Sequence, residues 1–374
     1  MTWTIPLTDV VLTEDDVQAV MTCLESGWLT MGPRVRAFEE AFAEYAGTPH
    51  AVAVSSGTSA LHLSLLAAGV GPGDEVIVPS LTFVAGAAAV RYVGATPVLC
   101  DIVSAAHPLI DVDDVARRLT PRTRAVVAVH FFGYAAAIEQ LRALCDEHGL
   151  ALIEDAAQAI GARSESGALT GTIGDLGCFS FFSKKQLSLG EGGMVTTADE
   201  ALAARIRSLR SHAMTSGTWD RHRGHAESYD VVDFGYNFRL DEPRAALGLS
   251  RLPRLEGDLE RRRRHVRAYR SELAGVAGLA MPFDDEAVER SSHFAFVILL
   301  PDRARRDALR SALAVHGVQT TWYPALSALT AYLDESATPI AAEVSGRHCA
   351  LPLSAGMSDE QRTQVVAAVR AALA

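Results

Sequence analysis

The sequence predicts an α/β fold, a mostly parallel sheet between helices, with a smaller α+β portion at its C-terminal end. Three observations predict it. Short apolar runs recur with almost no polar interruption, each is followed by a helical pattern, and polar residues suited to chemistry sit where the runs end. Continuous apolar runs mark strands buried on both faces, as in a parallel sheet covered by helices on both sides. In such sheets ligands bind beyond the carboxyl ends of the strands, and candidate functional residues are sought there.

Taken in order, AVAV (51–54) precedes a helix from about Thr58, and EVIVP (75–79) precedes one from about Thr82. TPVLCD (96–101) leads to a helical pattern over 111–119, and RAVVAVHFFG (124–133) leads to one over 137–148. ALIED (151–155) ends in small residues. The stretch FSFFSKKQLSLGEGGMV (179–195) is an aromatic run closed by two lysines, then a Gly-rich turn, then a second apolar run. A helix over 199–211 is followed by a polar loop rich in His and Gly, and one long helical pattern runs from Asp241 to about Leu273. The strand HFAFVILL (293–300), a helix over 302–316 and a last helix from Asp359 build the smaller portion. The expected division is a large domain, 1–255, and a small C-terminal domain, 256–374, meeting inside the long helix.

Composition narrows the function. A chain of 374 residues, 49% hydrophobic and 21% charged, suits a globular protein with a sizeable core. A net charge of -11 argues against nucleic acid as the main partner, and the basic run at 261–264 reads as a solvated helix face. The five cysteines, Cys23, Cys100, Cys145, Cys178 and Cys349, form no CxxC and read as reduced thiols of a cytoplasmic protein. The opening MTWTIPLTDV has no signal-peptide pattern, and no uncharged apolar stretch approaches the roughly 18 residues of a membrane helix.

Three strand ends stand out. SSGTSAL (55–61) opens a helix, where free N–H groups and the helix dipole attract an anion; Gly57 allows close backbone approach, and Thr58 and Ser59 add donors. An ordinary helix cap is the other reading. Asp155 closes an apolar strand, where a carboxylate either caps the following turn or holds a cation such as a protonated ring nitrogen. A lysine at the end of a buried run loses hydration, so its pKa falls and the free amine becomes a nucleophile. An anion-binding helix start, a strand-end Asp and a strand-end Lys, in that order, match a site for pyridoxal 5'-phosphate (PLP).

The chain resembles the DegT/StrS family of PLP-dependent sugar aminotransferases. The resemblance rests on SGWLTMGP (26–33), SSGTSALHL (55–63), GDEVIVPSLTFVA (73–85), GATPVLCDI (94–102), VVAVHFFG (126–133), EDAAQAIGA (154–162), GCFSFFSKKQLSLGEGGMVTT (177–197) and DFGYNFRLDEPRAALG (233–248). It implies a fold type I PLP-dependent transferase, acting as a homodimer with two shared active sites. The family pattern makes Lys185, not Lys184, the imine lysine, since it lies five residues after Ser180. It implies that Ser180, Thr58 and Ser59 bind the phosphate, that Asp155 pairs with the pyridine nitrogen, and that Gln158 contacts the ring hydroxyl. Phe83 would stack on the ring, and Asn237 would reach the phosphate of the neighbouring subunit. Gly190 to Gly193 would shape the turn beyond the lysine. Trp322 and Ser327 replace histidines common around the Y-P pair of the family, and Gln186 replaces the commoner Asn after the lysine.

The implied reaction moves an amino group from L-glutamate or L-glutamine to a keto sugar, foremost a nucleotide-linked 4-keto-6-deoxyhexose, making an amino sugar for a secondary metabolite or a surface polysaccharide. A 3-keto sugar or a keto-cyclitol is the alternative acceptor. A dehydratase of the family would carry His at the position of Lys185, and a PLP-binding sensor would show no half-reaction. Other motifs carry less. GVGPGDE (69–75) is no dinucleotide fingerprint, and His212, His222 and His225 match no common zinc spacing, so no metal is expected. Their loop instead reads as a cover of the active site, with Arg221 and Arg223 able to meet an anionic substrate. His130 is either a core histidine or a group near the cofactor, and Trp28 either lines the substrate entrance or packs.

Overall fold

The computed structural model describes residues 3–333 and 338–374. Seven strands form one sheet: β1 (His50–Val54), β2 (Glu75–Pro79), β3 (Thr96–Cys100), β4 (Thr123–Val129), β5 (Ala151–Asp155), β6 (Leu176–Ser180) and β7 (Gly193–Thr197). Their order is β1-β7-β6-β5-β4-β2-β3, and β7 alone runs against its neighbours. The apolar runs are buried on both faces, as their composition requires. Val127 and Ile153 pack under the helices Gly57–Ala67 and Ala85–Tyr92, while Val126, Ala128 and Leu152 pack against Val115, Leu141 and Cys145 on the other face. A third cluster joins Phe179, Phe181 and Met194 to Phe38 and Phe42 of the helix Pro33–Ala46.

Register sets the site. Val129 pairs with Asp155, Asp155 with Cys178, Ser180 with Gly193, and Gly193 with Val54, so the carboxyl ends of β4, β5, β6 and β1 lie in one row. The C-terminal portion carries a second sheet, β8 (Phe296–Leu299) antiparallel to β9 (His348–Leu351), under the helices Arg303–Val315 and Asp359–Leu373. The N-terminal segment is stitched to it: Gln319 N–H donates to the Ile5 carbonyl and Leu353 N–H to that of Leu7, each at 2.9 Å. We place the division between the two portions near residue 255, where the helix Leu255–Glu272 begins.

The expected long helix is two helices. Glu242–Arg251 ends in a 3-10 turn at Leu252–Arg254, and Leu255–Glu272 starts anew. Pro253 is the cause, since it lacks the N–H that would continue the helical hydrogen-bond ladder. The helix expected from Thr82 begins at Ala85, and the strand expected over 293–300 is regular only over Phe296–Leu299. Two helices not read from the sequence, Glu14–Glu25 and Pro33–Ala46, precede β1; the first starts with a capping box between Thr13 and Asp16. All five cysteines are free and buried, and no described helix is long and apolar enough to cross a membrane.

Candidate active site

A cavity of about 340 Å³ opens at the row of strand ends. Its walls include Gly57, Thr58, Phe83, Asp155, Gln158, Ser180 and Lys185, so seven of the nine residues expected at the site meet there. At one end the helix Gly57–Ala67 presents its N-terminus, where first-turn N–H groups lack intrahelical partners. Ser56 caps it, accepting from the Ser59 N–H at 3.0 Å. Gly57 is required by packing: a Cβ there would stand 2.8 Å from the Ser180 Cβ. Helix start and β6 end therefore sit together, both offering donors to one anion.

At the other end Asp155 is buried, accepting from the Ala157 N–H at 3.0 Å and making no ion pair among the described residues. Burial raises its pKa, opposed by that hydrogen bond and by the charges of Lys185 and His130. Lys185 follows β6 in a turn, its backbone N–H donating to the Phe182 carbonyl at 2.8 Å. Its ammonium lies over the Phe294 ring, 4.5 Å from the centroid. Burial lowers its pKa to about 8, with Asp155 opposing. A buried carboxylate short of a cation and an amine near neutrality face one space.

The neighbours hold these groups still. Gln158 Oε1 accepts from the Phe132 N–H at 2.9 Å, a fixed role for one end of its amide. Gln186 Nε2 donates to the Gln158 carbonyl and to Ser292 Oγ, each at 2.9 Å, so the residue after Lys185 ties the lysine turn to β5 and to the C-terminal portion. His130 is a core histidine: Nδ1 accepts from the Ala136 N–H and Nε2 bonds Glu154, itself held by the N–H groups of Gly171, Ile173 and Gly174.

Two expected residues lie outside the cavity walls. Ser59 is turned away, its hydroxyl bonded to those of Ser55 and Ser56, and the capping Ser56 lines the cavity in its place. Asn237 is exposed on a loop and is not part of this chain's cavity wall. Trp28 packs, with Trp219 and His222 at centroid distances of 4.8 and 4.6 Å. Arg221 bonds the Ser216 carbonyl and covers Tyr229, Arg223 stacks on Trp219, and neither lines the cavity. No group of three metal-ligating side chains occurs among the described residues. Ser327 joins a hydroxyl cluster with Ser80 and Thr338, and Trp322 covers the Arg306 guanidinium. Wall residues not read from the sequence include Thr82, whose buried hydroxyl has no partner among the described residues, Phe294 and Tyr323, and Lys184, expected to be structural, also lines the wall. Phe294 gave no signal, because an aromatic residue leading into an apolar strand reads as core, whereas the Y-P pair marked the segment of Tyr323.

A lysine of lowered pKa opposite a buried carboxylate, beside a helix N-terminus at the strand ends of an α/β sheet, is the arrangement of a lysine-dependent enzyme. Known sequences give the same class more narrowly. The profile of the DegT/DnrJ/EryC1/StrS aminotransferase family matches residues 11–370, and the chain belongs to that family and is an aminotransferase. It is 40% identical over 367 residues to the erythromycin biosynthesis sensory transduction protein EryC1 of Saccharopolyspora erythraea, covering 96% of each chain. It is 36% identical over 373 residues to a UDP-N-acetyl-3-dehydro-alpha-D-glucosamine 3-aminotransferase of Acidithiobacillus ferrooxidans, covering 98% of this chain and 95% of the relative. Among solved structures, S. venezuelae DesV in complex with a ketimine intermediate superposes with a TM-score of 0.89 at 35% identity, covering 99% of this chain and 98% of that one.

Proposed function

We propose that the protein is a PLP-dependent sugar aminotransferase, taking an amino group from L-glutamate or L-glutamine and placing it on a nucleotide-linked 4-keto-6-deoxyhexose. The observation that carries the reading is the opposition of Lys185 and Asp155 across one cavity that ends at a helix N-terminus. The residues fit PLP. The helix start and Ser180 suit its phosphate, Asp155 lacks the cation that a pyridinium supplies, and Phe83, 56% exposed, offers an apolar face to a ring. When bound, PLP supplies an electron sink for the bond broken at the donor's α-carbon.

The chain's residues do the rest. The Asp155 carboxylate keeps a proton on the ring nitrogen. Lys185 Nζ, with its pKa lowered to about 8, would move a proton from the donor's α-carbon to the cofactor's C4′, serving as base and then acid. Gln158, its oxygen fixed by the Phe132 N–H, would donate from its amide nitrogen to the ring hydroxyl. Asn237 serves the phosphate of a second subunit. That role is supported by its place outside its own chain's cavity and by the exposed Val231, Val232 and Phe234 on the same loop, apolar surface that a homodimer would cover. The free, buried thiols suit a cytoplasmic enzyme.

Incubation with L-glutamate and a panel of ketones tests the acceptor. The proposal expects an aminated product from a nucleotide-linked 4-keto-6-deoxyhexose, at least about tenfold faster than from a 3-keto sugar or keto-cyclitol. The relative named a 3-aminotransferase supports the 3-keto sugar as the second reading, and preferred amination of that ketone would replace the first.

A further inference from the structure

A second cavity, of about 260 Å³, lies behind the lysine turn and shares with the first only the wall made by Lys185. Four arginines line it: Arg251, Arg254, Arg261 and Arg262. Two are neutralised, Arg254 by Asp16 at 2.6 Å and Arg261 by Asp258. Arg251 and Arg262 are not. They are 7% and 3% exposed and make no ion pair among the described residues. Each spends one nitrogen on main-chain carbonyls: Arg251 donates to Val11, and Arg262 to His293 and Leu353, at 3.2–3.3 Å. The Nε of each is buried without a partner.

A buried guanidinium without a counter-charge is costly, more so when a second stands on the same cavity. Burial pulls the Arg262 pKa down to about 10, with Asp258 opposing, and Arg251 shifts the same way. The remaining charged lining groups are Lys185, Asp9 and Asp258. Asp9 is exposed at the edge, its Oδ1 occupied by the Val10 N–H, and the Asp258 carboxylate is bonded to Arg261. Gln186 adds one buried acceptor, Oε1, that lacks a partner. The unmet groups are thus N–H donors of two cations and one acceptor. A phosphate-class oxyanion suits this cavity, its charged oxygens answering the two guanidinium groups on the lining.

We propose that this cavity is a second anion site, for an oxyanion of the phosphate class held by Arg251 and Arg262, separate from the helix start that suits the cofactor phosphate. It does not depend on the acceptor chosen above. Its position gives it an effect: a dianion against the wall made by Lys185 and Gln186 favours the charged form of Lys185.

Calorimetric titration of the PLP-treated protein tests it, in a buffer free of phosphate and sulfate so that the cofactor phosphate site is already filled. The probes are inorganic phosphate, pyrophosphate and uridine diphosphate. The wild type should bind one equivalent of inorganic phosphate, and Arg251→Met and Arg262→Met should weaken that binding at least tenfold. Arg262→Met also removes hydrogen bonds to two carbonyls, so Val11→Glu, which sets a carboxylate at an exposed part of the lining, serves as a variant that keeps the core and should weaken binding as well. Inorganic phosphate binding as tightly as uridine diphosphate means a free anion; tighter, equally arginine-dependent binding of uridine diphosphate means one carried by a nucleotide. Absence of saturable binding by all three probes overturns the proposal, as does binding unchanged in Arg251→Met and Val11→Glu.

Discussion

Lys184 and Lys185 are adjacent and meet different surroundings. Lys184 is exposed at the cavity wall, whereas the Lys185 ammonium sits over Phe294 and faces Asp155. Its lowered pKa is also a statement about stability. Between pH 8 and the usual lysine value the unfolded chain holds more protons than the folded one, so this group makes stability rise with pH there. Below pH 8 the penalty is fully present. Lys185→Met without added cofactor is therefore expected to raise unfolding stability at pH 7 by on the order of 2 kcal/mol, with the gain shrinking by pH 9.5. Urea unfolding at the two pH values checks this, and a variant less stable at pH 7 contradicts it. Lys185 and Asp155 were legible because charge at the end of an apolar run demands a reason. Phe294 was not, because its chemistry is indistinguishable from packing. Ser59 was expected at the phosphate; its hydroxyl instead bonds those of Ser55 and Ser56, a choice among adjacent serines that the sequence does not reveal.

At the scale of elements, the site depends on how closely the β1 turn approaches β6 and β7. A Cβ on Gly57 would meet Ser180, and one on Gly193 would stand 2.4 Å from the Ser56 carbonyl. Gly57→Ala should push the helix start from Ser180, lowering PLP affinity at least about tenfold and stability by about 1–3 kcal/mol. Equilibrium dialysis and thermal unfolding check it, and a variant with wild-type affinity contradicts the shared anion site. The strand–helix alternation was readable because both faces of the sheet are covered. The helix Glu14–Glu25 carries an apolar stripe, Val17, Val20, Met21 and Leu24 at helical spacing behind its capping box, so it too was legible in principle, although Val17, Met21 and Leu24 are exposed in this chain. The helix Pro33–Ala46 carries one at Val35, Phe38 and Phe42, and was legible in principle. The break at Pro253 was likewise readable, had proline been weighed above the apolar period on either side of it.

Over the whole molecule, two portions build one cavity: the strand ends supply Asp155, Ser180 and Lys185, and the C-terminal portion adds Phe294 and Tyr323. Burial pushes the Tyr323 hydroxyl up to about 12, so it stays a donor at neutral pH. The fold class could be read from local pattern because each βα unit declares itself within a short span. The joining of portions depends on contacts distant in sequence, such as Ile5 with Gln319, and local pattern does not reveal them. The family's chemistry rests on one amine in that shared space, and visible absorbance with PLP, before and after L-glutamate, tests it directly. Lysine-bound PLP should give a yellow band that glutamate bleaches, and Lys185→Ala should show neither the band nor turnover. A band that no amino donor changes would contradict the transferase reading and favour the sensing role in the name of one relative; a band persisting in Lys185→Ala would transfer the role to Lys184.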